Sequence, residues 1–243
     1  MFSKEPRNIY NNNQLYEVIC QLRFPEILSI ETELPAKFQE GIRNIFPRYS
    51  LHKERGAGKE TNNYQFTTED GLWRVNLTSK FISISTNAYK CWEDFAAMLD
   101  LPLASFIQVY QPACFDRIGL RYLNFISRKA LGLEDCAFKE LITPAYLGIL
   151  SFDDINEGAA ARSSVDAEIA IGGGSCLKMH AGAGKIAIAG KTDNETKFVL
   201  DLDLFIGERI AVNHSTGVLQ TLHSQAFSVF RCAITDKLHD AML

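Results

Sequence analysis

The chain has 243 residues, of which 47% are hydrophobic and 22% charged, proportions of an ordinary globular protein that exclude a disordered or fibrous one. Its 25 Lys and Arg against 29 Asp and Glu give a formal net charge of −4, which disfavours a broad electrostatic grip on nucleic acid or anionic lipid. No apolar run approaches the length of a membrane span, and the opening Met1-Phe2-Ser3-Lys4-Glu5-Pro6 lacks an apolar signal region, so the expected location is the cytoplasm.

In chain order, Val18, Cys20, Leu22 and Phe24 alternate with Glu17, Ile19, Gln21 and Arg23, the two-residue period of a half-buried strand from Leu15 to Phe24. After Pro35, the positions of Phe38, Ile42, Ile45 and Phe46 make one stripe of a short helix stopped by Pro47. Ser50 to Asn63 is polar, contains Gly56 and Gly58, and reads as an exposed loop. Strands are predicted over Asn63–Thr68, Leu72–Thr78 and Phe81–Thr86, linked by Asp70-Gly71 and Ser79-Lys80. Helical spacing returns at Tyr89, Trp92, Phe95, Ala96 and Leu99 and runs past Pro102 to Tyr110.

The second half repeats the order. A strand covers Arg117–Ile126, Phe138, Leu141 and Ile142 suggest a helix broken near Thr143-Pro144, and strands follow at Ser164–Ile171, Cys176–Ile188 and Lys197–Ile206. One long helix is expected from about Gly217 to Met242, capped by Ser215 or Thr216. The expected fold is therefore α+β: a tandem duplication of a strand-helix-three-strand-helix unit, residues 1–110 and 111–243, with antiparallel sheets and helices on one face. The first strands share a Leu-Arg-aromatic step, Leu22-Arg23-Phe24 and Leu120-Arg121-Tyr122.

Four segments carry a resemblance: Glu17-Val18-Ile19-Cys20-Gln21-Leu22-Arg23-Phe24, Tyr89-Lys90-Cys91-Trp92-Glu93-Asp94-Phe95, Arg117-Ile118-Gly119-Leu120-Arg121-Tyr122-Leu123-Asn124 and Ile234-Thr235-Asp236-Lys237-Leu238. Together, across roughly residues 14 to 240, the chain resembles a sporadically distributed family of uncharacterised prokaryotic proteins of about this length. The resemblance implies a setting near mobile elements or defence genes and carries no activity or catalytic residue with it. The element order is also similar to that of the saddle of TATA-binding proteins, an analogy of order that does not fix function.

The chemical motifs are sparse. Gly184 to Thr192 imitates a phosphate-binding loop but has five residues between its glycines and continues a strand; Gly56 to Thr61 lacks the first glycine and has Glu60 where a hydroxyl should hold magnesium. The five histidines show no HExxH spacing, no Gly-x-Ser-x-Gly elbow occurs, and the six cysteines stand singly without a CxxC pair. These cysteines read as small buried hydrophobes. No cofactor is expected.

What remains is a face. Strand alternation puts Gln21, Arg23, Arg74, Asn76, Ser83 and Ser85 on one side of the first sheet, and Arg121, Asp166, Glu168, Lys178, His180, Asp201 and Asp203 on one side of the second. Asp201 and Asp203 leave the same face, with Arg117 and Arg121 as natural partners. The candidate binding residues are thus Arg23, Arg74, Arg117, Arg121, Asp166, Glu168, His180, Asp201 and Asp203. The mixed sign of the second face argues against DNA. The expected function is a non-enzymatic binding or interaction module with a protein partner or a homodimer and no membrane; the alternative is a metal-assisted hydrolase using Asp201, Asp203, Asp166 and Glu168.

Overall fold

The computed structural model describes residue 3 and residues 5–56, 59–160, 162–188 and 191–243. Within them lie nine strands: β1 Leu15–Arg23, β2 Arg48–Gly56, β3 Lys59–Thr67, β4 Trp73–Leu77, β5 Phe81–Thr86, β6 Arg117–Ile126, β7 Ser163–Ala170, β8 Ser175–Ile188 and β9 Lys191–Ile206. The α-helices are α1 Ser29–Thr32, α2 Ala36–Ile42, α3 Trp92–Tyr110, α4 Pro144–Leu147, α5 Ser215–Ala233 and α6 Asp236–Met242. The class is α+β, and the strands form one antiparallel sheet in the order β2-β3-β4-β5-β1-β6-β9-β8-β7, not two separate sheets. No helix among the described residues is long and apolar enough to cross a membrane.

The chain packs as two compact units that interleave in sequence. Unit I holds Glu17–Leu120 and Phe205–Thr221; unit II holds the chain up to Tyr16, Arg121–Leu204 and Leu222–Leu243. The element order suggests a division at residue 110, whereas the compact units divide within β1, β6, β9 and α5.

In unit I the phase predicted for β1 holds: Val18, Cys20 and Leu22 are buried and Arg23 is exposed. Helix α2 lays Phe38 edge-on to Phe66 of β3, at 5.5 Å between ring centres, and α3 lays Phe106 against Phe24 at 4.6 Å. Both helices cover the apolar side. Helix α3 runs through Pro102 and ends at Gln111, which adopts the left-handed conformation (φ 46°) immediately before Pro112.

The loop expected at 50–63 is overturned. β2 and β3 form a hairpin whose register runs from Arg48 opposite Thr67 to Gly56 opposite Lys59, so this meander has four strands instead of three. Tyr49 stacks beside Tyr64 and Phe66 on the helix side. That alternation was hidden because polar side chains stand on both faces, Arg48, Ser50 and His52 on one and Lys53 on the other, as suits an edge. Of the two loop imitators, Ala57 and Gly58 in one and Ala189 and Gly190 in the other lie outside the described residues.

Unit II corrects two further expectations. The segment after β6 is a series of short turns, with 3-10 helices at Phe138–Glu140, Gly148–Ser151 and Glu157–Ala159 around the four-residue α4. Arg128 holds it together: its guanidinium lies 4.1 Å from the Phe138 ring centre and pairs with Glu157. The C-terminal helix is two helices, broken at Ile234-Thr235, where the Thr235 hydroxyl accepts from the Leu238 N–H and caps α6. Ser215 opens α5 and donates to the Val212 carbonyl instead of capping.

An N-terminal arm crosses these helices. Glu5 pairs with the buried Arg231, and the Tyr10 hydroxyl lies 2.8 Å from Nδ1 of His239. Burial pushes the Tyr10 phenol up to about 12, and burial does the same to Tyr110 in unit I. A phenol raised above its unfolded value of about 10 contributes stability that is complete below pH 10 and lost as pH rises towards 12. We therefore expect an alkaline unfolding transition between pH 10 and 12, followed by phenolate absorbance and circular dichroism together. Tyr10→Phe should move it to higher pH; a midpoint unchanged by that substitution would refute the assignment.

The cysteines are less uniform than expected. Cys20 and Cys114 are buried, but Cys91, Cys136, Cys176 and Cys232 are partly exposed. Burial pushes the Cys20 thiol up to about 12, which makes it unreactive at neutral pH.

Candidate functional site

Each unit leaves one side of its strands without helices, and the two sides differ in chemistry. In unit I the strand register assembles two complete rungs. One runs Ser50, Gln65, Asn76, Ser83, Gln21 across β2-β3-β4-β5-β1; the next runs Arg48, Thr67, Arg74, Ser85, Ile19. These ten positions hold seven neutral hydrogen-bonding side chains, two arginines, one isoleucine and no carboxylate. Gln65 donates to Asn76 Oδ1 at 3.2 Å, and the Arg23 Nε, one rung further along β1, donates to Gln21 Oε1 at 2.8 Å. Ser83 and Ser85 are buried at 6% and 4% exposure. Their short side chains form the floor between the longer Gln21, Arg74 and Asn76.

The arginines of this side are differently engaged. Arg48 gives both Nε and a terminal nitrogen to Glu69, whereas Arg74 forms no ion pair among the described residues. Arg117 stacks its guanidinium 4.3 Å from the centre of the Phe205 ring. Gly119 makes room for it, since a Cβ there would collide with that guanidinium.

Unit II presents ion pairs. Arg121 forks onto Asp201, Nε to Oδ1 at 2.7 Å and a terminal nitrogen to Oδ2 at 2.5 Å. On β7 and β8, Asp166 faces His180 and Glu168 faces Lys178 in register, with Nδ1 to Oδ1 at 2.7 Å and Nζ to Oε2 at 3.5 Å. The hydrogen bond from His180 is the main reason that the Asp166 carboxyl lies below the usual carboxylate range. Asp203 is half-buried on the same strand as Asp201. Among the described residues no three His, Cys, Asp or Glu side chains gather as a metal would require.

No family model matches the chain, and no curated protein does. The site must be read from its own geometry.

Two features escape sequence reading. One is the buried His223, whose Nδ1 lies 2.8 Å from the Tyr122 hydroxyl and whose Nε2 lies 3.1 Å from an Arg7 terminal nitrogen. Arginine only donates, so Nε2 accepts and Nδ1 carries the proton towards Tyr122. This ties the N-terminal arm to β6 and α5 of unit II. The other is an open cleft of about 750 Å³ in unit I, between the end of α3 and residues 211–216, lined by Leu103, Ile107, Pro112 and Val212 with Asp100 as its one ionisable residue. Neither contains a nucleophile beside a base. Local sequence carries no signal of either, because their residues lie far apart in the chain.

Proposed function

We propose that the protein is a non-enzymatic binding module, acting in the cytoplasm through the polar side of its sheet, with a protein as partner. The observation that carries this reading is the pair of carboxylate-free rungs of unit I, Ser50-Gln65-Asn76-Ser83-Gln21 and Arg48-Thr67-Arg74-Ser85-Ile19. Amides and hydroxyls both donate and accept, which suits recognition of a polar chain. On unit II, Asp201 is engaged by Arg121 and Asp166 by His180, so the hydrolase alternative has no ligand set among the described residues.

Two finer statements belong to the same reading. The duplication is supported by the strand order, in which β1 lies beside β5 and β6 beside β9, each next to the last strand of its own meander. The resemblance to the sporadic prokaryotic family adds a mobile-element or defence setting for the partner.

The test is a photo-cross-linking residue placed at Asn76, on the polar side, or at Lys37, exposed on α2. In the native host we expect one discrete adduct from position 76, identifiable by mass spectrometry, and none from position 37. Equal labelling from both positions would overturn the reading. A manganese-induced rise in melting temperature that Asp203→Ala removes would favour the hydrolase instead.

A further inference from the structure

Resting on the reading just given, we propose that the polar side of unit I takes an acidic polypeptide segment, bound in extended form across β2-β3-β4-β5-β1. Charge complementarity argues for the acid. The protein as a whole is net −4, yet Arg74 lies on one complete rung, Arg23 lies just beyond the other, and the ten positions of the two rungs carry no carboxylate, Arg48 on the rung of Arg74 being paired with Glu69 from outside them. Arg74 has no ion-pair partner among the described residues, and Arg23 bonds only to the neutral Gln21. An arginine with no acid beside it is free to take a carboxylate from outside in a forked, charge-assisted pair.

The neutral row argues for a polypeptide. Five strands at ~4.8 Å spacing present ~19 Å of amide and hydroxyl groups, the length of about six residues of extended chain at ~3.3 Å each. Gln21, Gln65 and Asn76 can each meet a peptide N–H and a peptide C=O. Sheet surfaces that hold single-stranded nucleic acid stack successive bases on several aromatic rings, whereas neither complete rung has one and a single ring, Phe81, stands opposite Arg23 beyond them. The buried Ser83 and Ser85 leave a trough between longer neighbours.

The experiment uses the full chain and three labelled probes in ~50 mM salt, where charge interactions extend beyond the ~10 Å screening length of 0.1 M salt: an alternating Glu-Ser octapeptide, its Lys-Ser counterpart and a 15-nucleotide oligo(dT). Fluorescence anisotropy should show binding of the Glu-Ser peptide only. Arg74→Glu and, separately, Arg23→Glu should each weaken it at least tenfold, Gln65→Ala with Asn76→Ala about threefold or more, and Arg43→Glu, exposed at the end of α2, should leave it unchanged. Melting curves check that each variant is folded. The proposal is overturned if the Glu-Ser peptide does not bind, if Arg43→Glu weakens it as much as Arg74→Glu, or if oligo(dT) binds more tightly. Self-association abolished by Arg74→Glu would assign the site to a second copy and also overturn it. A discrete adduct from position 76 without peptide binding would reject the acidic class and keep the binding side; loss of both would reject the binding side as well.

Discussion

Deleting residues 222–243 should abolish the cooperative unfolding of unit II and sharply reduce soluble yield. Leu222, Val229 and Leu238 are fully buried, as is Met242, and Ile234 is 2% exposed. At about 1.5 to 3 kcal/mol for each large apolar side chain, these five contribute roughly 8 to 15 kcal/mol, which equals the whole net stability of about 5 to 15 kcal/mol typical of a domain. Backbone bonds lost with them include Thr143 N–H to the Ala233 carbonyl and Asn12 N–H to the Met242 carbonyl. The boundary matters: Leu219 and Gln220 belong to unit I, where Gln220 accepts from the Trp92 indole at 2.8 Å. Calorimetry of the truncated chain decides the matter, and a soluble fragment with the full-length transition would show that α5 and α6 are peripheral.

The second large effect is expected from Phe106→Ala in unit I. Phe106 is fully buried, with Phe24 of the β1 end at 4.6 Å and Tyr110 at 5.5 Å between ring centres. Truncating a buried Phe costs about 3 to 5 kcal/mol in lost transfer energy and cavity. At about 2 to 4 °C per kcal/mol for a chain of this size, the melting temperature falls by roughly 6 to 20 °C. Phe106→Leu should recover most of that, because it refills much of the volume. A loss below 1 kcal/mol for the alanine variant in a urea titration would mean that α3 is not seated on β1 as described.

Much of the fold is legible in local pattern. The period of two around Val18-Cys20-Leu22 and Ile118-Leu120-Tyr122 fixed which side of β1 and β6 meets the helices, and Arg23 and Arg121 duly lie on the other. Helix α3 was readable through Pro102 because its apolar stripe continues on both sides of the proline. The pairing of Arg121 with Asp201 was likewise predictable from residue type, since both were assigned to the polar face. Where the pattern failed, a physical reason is visible. β2 is an edge strand with charge on both faces, so its alternation is faint. The break at Ile234-Thr235 has buried apolar residues on either side and preserves the helical stripe across it.

By itself, then, the sequence determined the α+β class, the buried face of most strands and the chemical types on the open face, because burial periodicity and residue type are local properties. Only the tertiary structure decided that Ser50, Gln65, Asn76, Ser83 and Gln21 make one row, since that row depends on the pairing of five strands distributed over more than sixty residues. The same holds for the stacking of Arg117 over Phe205 and for Asp166, whose partner proved to be His180. Which cation meets which acid is set by register, and a slip of one residue exchanges the two faces of a strand. Register is a property of paired strands, so no single segment of the chain encodes it.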